Sequence, residues 1–179
     1  MSTKILRPID ANDYDQLYAW DSQETQHEYY TCRPLLLEKT KEAFIFSIES
    51  YVLANKCQYW VLVEANKPEE LLVKIACFDF NPRNKSLELG IYLPPALRGL
   101  GYGKIALQLM LKELFVKFDY NKVYATTASN NTAAIALFNS CNFKQDGCLR
   151  EHYWIGSERY DQIILSILNA DWKAATALA

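Results

Sequence analysis

The stretch from Leu87 to Leu114 constrains this chain more than any other: L-E-L-G-I-Y-L-P-P-A-L-R-G-L-G-Y-G-K-I-A-L-Q-L-M-L-K-E-L. Leu87 to Leu93 is short, apolar and β-favouring, and the Pro94-Pro95 pair stops it. A glycine-rich turn follows, Arg98-Gly99-Leu100-Gly101-Tyr102-Gly103. From about Gly101 the pattern becomes helical. Leu107, Leu111, Leu114 and Phe118 recur on one face, with Lys104, Gln108 and Lys112 opposite. The order is strand, tight loop, amphipathic helix.

Glycine lets a backbone turn sharply and approach a ligand closely, because it has no Cβ. The first N–H groups of a helix have no acceptor inside it, and its dipole favours negative charge there. Arg98 to Lys104 is therefore a candidate phosphate cradle. It is not a P-loop: Arg98 stands where that pattern needs glycine, and Ile105 where it needs Ser or Thr. It is not the dinucleotide fingerprint either, because Lys104 stands at the third glycine counted from Gly99. What is left is R-x-x-G-x-G, made by Arg98, Gly101 and Gly103.

This hexapeptide between a strand and a helix resembles the hallmark of the GNAT superfamily of N-acetyltransferases, [Q/R]-x-x-G-x-[G/A]. A second stretch, Asn131 to Phe143, resembles the later motif of that family, N-x-x-[A/S]-x-x-x-[Y/L]-x-K-x-G-F. Asp146 to Glu151, Tyr160-Asp161 and Asp171-Trp172 are similar to the Rim-type branch, which includes ribosomal-protein N-terminal acetyltransferases. Two positions depart from the pattern. Asn142 replaces the usual glycine, and asparagine tolerates the left-handed conformation at a helix end. Phe138 stands where many members carry a proton-donating tyrosine, and a phenyl ring donates nothing.

Composition agrees with a soluble globular chain forming a single domain over 1–179. Half of the 179 residues are hydrophobic and 22% are charged. The net charge of −2, without a basic run, argues against nucleic acid as a partner. No apolar run has the length of a membrane span, and none near Met1 resembles a signal peptide, so a cytoplasmic location is expected. The five cysteines, Cys32, Cys57, Cys77, Cys141 and Cys148, form no C-x-x-C, and the histidines are far apart. No metal site is expected, and reduced thiols are.

Along the chain the pattern predicts a strand at Lys4 to Pro8 and a helix capped by Asp10 or Asn12 and running towards Asp21. A second helix is predicted over about Leu35 to Ala54, with Leu37, Phe44, Ile48 and Tyr51 on one face. Strands follow at Tyr59 to Glu64, Leu71 to Phe80 and Leu87 to Leu93, then the loop and its helix. A fifth strand is predicted at Val123 to Ala128 and a short helix from Asn131 to Cys141. A last strand pair, Phe143 to Glu151 and Tyr160 to Leu168, turns near Gly156, and the tail from Asp171 shows little periodicity. This is an α/β (α+β) order. The resemblance implies a mixed, mostly antiparallel seven-stranded sheet with about four helices and a splayed fourth and fifth strand.

The resemblance also implies a site. Acetyl-CoA would be the cofactor, held by Ile91, Leu93, Arg98, Gly99, Leu100, Gly101, Tyr102, Gly103, Lys104, Asn131 and Phe138. Its pantetheine arm would lie between the splayed strands and pair with their backbone groups, with a backbone N–H near Ile91 or Leu93 facing the oxyanion. Glu88 is the candidate base for the incoming ammonium, and Ser140 and Cys141 are the nearest polar candidates for a proton donor. Asn131 also reads as a helix cap and Cys141 as a core residue. Tyr92, Tyr102 and Tyr124 read as packing. Glu24, His27, Glu28 and Tyr29 lie in the segment that lines the acceptor site in relatives. Carboxylates and aromatic rings there suit a cationic amine. The acceptor is either a protein N-terminal amine or a small polyamine or aminoglycoside. The activity expected is acetyl transfer by direct attack, in a monomer or homodimer. The alternative is a non-catalytic acyl-CoA-binding or interaction module on the same fold.

Overall fold

Lys4–Pro8 (β1) opens a seven-stranded sheet, and its alternation already sets which side of the sheet faces what. The computed structural model of the chain describes residues 3–24 and 40–177. The remaining strands are Cys57–Glu64 (β2), Lys67–Asn81 (β3), Ser86–Tyr92 (β4), Lys122–Ala128 (β5), Lys144–Ile155 (β6) and Glu158–Leu168 (β7). Their order across the sheet is β1-β2-β3-β4-β5-β7-β6. Every neighbouring pair is antiparallel except β4 and β5, which are parallel. That pair needs a crossover, and the glycine loop with its helix supplies it.

The helices are Tyr14–Gln23 (α1), Lys41–Leu53 (α2), Tyr102–Lys112 (α3), Thr132–Ser140 (α4) and Asn169–Ala177 (α5). On one side of the sheet α1 and α2 bury Leu17, Trp20, Phe44 and Ile48 against Val61, Val63 and Leu71. On the other side α3 and α4 cover Leu62, Val73, Ile75, Cys77, Leu87, Leu89, Val123 and Ala125. Because successive strand residues face opposite ways, the two layers interleave along β2: Val61 and Val63 face α1 and α2, and Leu62 faces α3.

The splay is visible in the register. β4 and β5 pair at only three positions, Ser86 with Lys122, Leu87 with Val123 and Glu88 with Tyr124. Beyond Glu88, β4 stays with β3 and β5 stays with β7, and the two strands part.

The structure changes several expectations. The second helix is described from Lys41, so Leu37 lies outside the described residues, and Tyr51 is exposed. Phe118 is half exposed while Phe115 is buried. Five residues after α3, Glu113–Lys117, form a π turn. Its extra residue per turn rotates the apolar stripe and brings Phe115 inward. The tail is helical after all. In α5, Trp172 packs on Phe115 with ring centroids 5.6 Å apart, and this tertiary contact sustains a segment of weak amphipathicity. The described helices thus number five where about four are expected. Asn142 adopts φ 66°, the left-handed turn that its side chain tolerates. Cys57, Cys77, Cys141 and Cys148 are free thiols, the first three buried. Among the described residues, no helix is long and apolar enough to cross a membrane, and no cluster of His, Cys, Asp and Glu could hold a metal.

Candidate active site at the open end of the fourth and fifth strands

The loop after β4 enters α3 through two left-handed glycines, Gly99 at φ 76° and Gly101 at φ 84°. Gly101 is the N-cap of the 11-residue helix. A Cβ built on either glycine would meet nothing within 4 Å, so the outer side of the loop is open. The first helical hydrogen bond runs from Ile105 N–H to Gly101 C=O at 3.3 Å, which leaves the amides of Tyr102, Gly103 and Lys104 without an acceptor inside the helix. Gly103 is where α3 meets α4: a Cβ there would stand 3.0 Å from Leu137 Cδ2. Lys104 and Leu100 are exposed. Unpaired amides, a helix dipole and an uncovered glycine loop fit a diphosphate.

Arg98 does something else with its side chain. Its Nε donates to Leu93 C=O at 3.0 Å, and its Nη2 donates to Glu24 Oε2 at 3.1 Å. The Tyr92 hydroxyl donates to the same carboxylate oxygen at 3.1 Å. The Glu24 side chain is 4% exposed, so this joint is well shielded. It ties the end of α1 to the end of β4 and to the glycine loop. Burial, with the Glu24 carboxylate adding to it, pushes the Tyr92 hydroxyl up to about 12, so the phenol keeps its proton at neutral pH. Trp20 packs on the Tyr92 ring, with centroids 5.9 Å apart. Lys74 Nζ lies 5.5 Å from the ring centre.

Glu88 sits on β4 at the last pair before the strands part. Leu87 and Leu89 face α3, so Glu88, Gly90 and Tyr92 face the opposite side, where α1 ends. The Thr126 hydroxyl donates to Glu88 Oε1 at 2.7 Å. Tyr124, opposite Glu88, donates to Asp79, and burial together with these two carboxylates raises its phenol above the ordinary value. Asp79 reaches Tyr124 from a left-handed position, φ 52°, in the irregular part of β3.

The other predicted residues fall elsewhere. The Ser140 hydroxyl donates to Leu137 C=O at 2.7 Å along its own helix. Cys141 is buried, and burial raises its thiol despite the nearby Ser140 and Lys104. Phe138 is buried against Phe143, with ring centroids 4.9 Å apart. Ile91 and Leu93 pack towards α3. Asn131 caps α4, its Oδ1 accepting from Ala134 N–H at 3.2 Å. His27, Glu28 and Tyr29 lie outside the described residues. Tyr92 and Thr126, read as strand residues, stand beside the two carboxylates. The signal for Tyr92 was its i+4 position from Glu88 on the same strand face.

Set against known proteins, residues 4–144 match the family model of the acetyltransferase (GNAT) domain. The chain belongs to this family and is an acetyl-CoA-dependent N-acyltransferase. It is 25% identical over 118 residues to the spermidine N(1)-acetyltransferase of Vibrio cholerae, covering 66% of this chain and 67% of that one. It is 22% identical over 167 residues to an uncharacterized N-acetyltransferase, p20, of Bacillus licheniformis, covering 93% of each. Among solved structures, spermidine N-acetyltransferase from V. cholerae in complex with CoA and spermine shares the fold with a TM-score of 0.84. That likeness is at 19% identity and covers 95% of this chain and 98% of the other.

Proposed function

We propose that the protein transfers an acetyl group to a primary amine of a linear polyamine, by direct attack. The observation that carries this reading is the pairing of carboxylates on one face of β4. Glu88 lies at the root of the splay, and Glu24 is held by Tyr92 four residues further on. At about 3.4 Å per residue this is roughly 14 Å along the strand, a span over which an extended cation with several ammonium groups reaches from Glu88 to the Tyr92–Glu24 joint. The names of the relatives, spermidine N-acetyltransferases, favour the same class.

Bound acetyl-CoA supplies the activated thioester. The Tyr102 to Lys104 amides hold its diphosphate, with Gly99 and Gly101 leaving room for it. Glu88, held by Thr126, takes the ammonium proton directly or through water. The neutral nitrogen then forms the C–N bond as the C–S bond breaks. A β4 N–H near Ile91 or Leu93 faces the developing oxyanion, and the thiolate leaves with a proton from solvent or from the amine. Glu24, shielded and charge-paired with Arg98, positions the Tyr92 hydroxyl, whose oxygen faces the distal ammonium. Asn131 and Phe138 border the cofactor arm at α4. The candidate proton donors, Ser140 and Cys141, give way to solvent or the amine itself in this reading, because Ser140 is bonded along its helix and Cys141 is buried.

The test is release of CoA thiol from acetyl-CoA with spermidine, spermine, a monoamine and a short peptide with a free N-terminus. The polyamines are expected to turn over and the peptide not. Turnover of the peptide alone would return the chain to the Rim-type reading, and turnover of nothing would make it a binding module. Glu88→Gln should lower kcat/KM by about 10²-fold at neutral pH, the size of a lost general base. The deficit should shrink as pH rises towards the pKa of the amine.

A further inference from the structure

A buried hydroxyl without a partner costs about 1 to 3 kcal/mol. Among the described residues three buried side-chain atoms are in that state: Thr127 Oγ1, Asn130 Oδ1 and Asn169 Oδ1. Asn169 follows β7, at the closed end of the sheet beside Lys122, and its amide nitrogen bonds Tyr120 C=O at 3.2 Å. The other two lie within four residues of each other at the open end, on the part of β5 that has left β4 and on the turn into α4.

Thr127 is 4% exposed. It pairs with Ile163, one step along from the pairs Ala125 with Leu165 and Val123 with Ile167. All of those side chains lie on the α3 side of the sheet. Thr127 therefore faces the side on which the glycine loop opens, and Thr126 faces the other, where its hydroxyl bonds Glu88. Two consecutive threonines serve the two faces. Valine would fill a buried strand position at no polar cost, yet the chain carries a hydroxyl there, next to the point where β4 and β5 part.

We propose that the Thr127 hydroxyl is a cofactor contact. It hydrogen-bonds an amide of the pantetheine arm where that arm passes between β4 and β5, and Asn130 Oδ1 lies along the same path. The inference rests on acetyl-CoA binding at this loop and adds a residue that the glycine motif does not contain.

Calorimetry on the purified full chain tests it, with CoA and with adenosine 3′,5′-bisphosphate, which has the nucleotide end but no arm. Thr127→Val should bind CoA about three- to ten-fold more weakly, the weight of one hydrogen bond. It should bind the bisphosphate as the wild type does. Its unliganded melting temperature should be equal or higher, because an orphaned polar group has been removed. Thr127→Ser should keep the CoA affinity. Unchanged CoA affinity in the valine variant, an equal loss for both ligands, or a fall of several degrees in the unliganded melting temperature would each overturn the assignment. Wild-type protein that binds neither ligand would overturn the cofactor reading itself.

Discussion

Asp13→Asn should be among the most damaging single-atom changes in this chain. Asp13 is 3% exposed and closes the capping box of the short 3₁₀ turn Ala11–Asp13 that leads into α1. Its Oδ2 accepts from Arg7 Nη1 at 2.7 Å and from Asp10 N–H at 2.8 Å, and its Oδ1 accepts from Arg7 Nη2 at 2.8 Å. Either orientation of an asparagine amide turns a donor towards one of these donors. Arg7 would then be left three-quarters buried with only the more exposed Asp10 carboxylate, 3.6 Å away, as counter-charge. Breaking such a pair costs about 3 to 5 kcal/mol, and we take the lower end because Arg7 keeps the Pro68 carbonyl at 2.8 Å. At about 2 to 4 °C per kcal/mol for a chain of this size, the melting temperature should fall by about 6 to 12 °C at pH 7. The pH dependence is the sharper check. Burial would raise the Asp13 carboxyl, but the Arg7 and Asp10 hydrogen bonds outweigh it and hold the group below its ordinary value of 3.8. A depressed folded pKa gives stability that is complete above the unfolded value and lost as pH falls through the folded one. The gap between wild type and variant should therefore be constant from about pH 5 to 8 and close only below 3.8. Scanning calorimetry across that range decides it. A loss of under 2 °C at pH 7, or a gap that does not narrow as pH falls below 3.8, would refute the argument.

Two further outcomes follow from the site. Gly101→Val places a β-branched residue at φ 84°, where nothing crowds the side chain. The loss of stability should be limited to the left-handed strain of about 1 to 2 kcal/mol, while affinity for CoA falls at least ten-fold because the loop amides move. Calorimetric binding alongside thermal melts separates the two effects. Ser140→Ala and Cys141→Ala should leave kcat within about two-fold of wild type in the thiol-release assay, with Cys141→Ala melting lower as expected for a buried side chain. A loss of turnover in either would restore that residue as the proton donor.

How far the sequence revealed this molecule depended on how local the cause was. The seven strands and the glycine turn were legible because alternation, Pro94-Pro95 and Gly156 act within a few residues. The switch from Phe118 to Phe115 was not, since a π turn in Glu113–Lys117 leaves no mark in a 3.6-residue pattern. Nor was α5, which Trp172 holds by packing on Phe115 rather than by its own periodicity. The role of Arg98 was half legible. The motif placed its backbone, but its guanidinium reaches Glu24 across 74 residues, a pairing that no local rule predicts. Thr127 was hidden for the opposite reason. A threonine in a strand is ordinary, and only the packed structure shows that its hydroxyl has no partner.

The two faces of β4 explain why one strand can serve both reactants. Leu87, Leu89 and Ile91 pack into the α3 layer, so the side that meets the glycine loop is apolar up to the point where the strands part. Glu88 and Tyr92 occupy the other side, and the residue between them is Gly90. A methyl group at 90 would touch Phe78 Cε1 at 3.4 Å, so the Phe78 ring lies over the bare backbone between Glu88 and Tyr92. Gly90 lies beyond the last β4–β5 pair, where main-chain groups of β4 no longer bond across to β5. In the proposed reaction an amine at this end meets Glu88 on its own side and strand N–H groups at the gap. A register shift of one residue would turn Glu88 into the α3 core and Leu89 onto the opposite face. The chemistry is therefore tied to the same period-two pattern that builds the sheet.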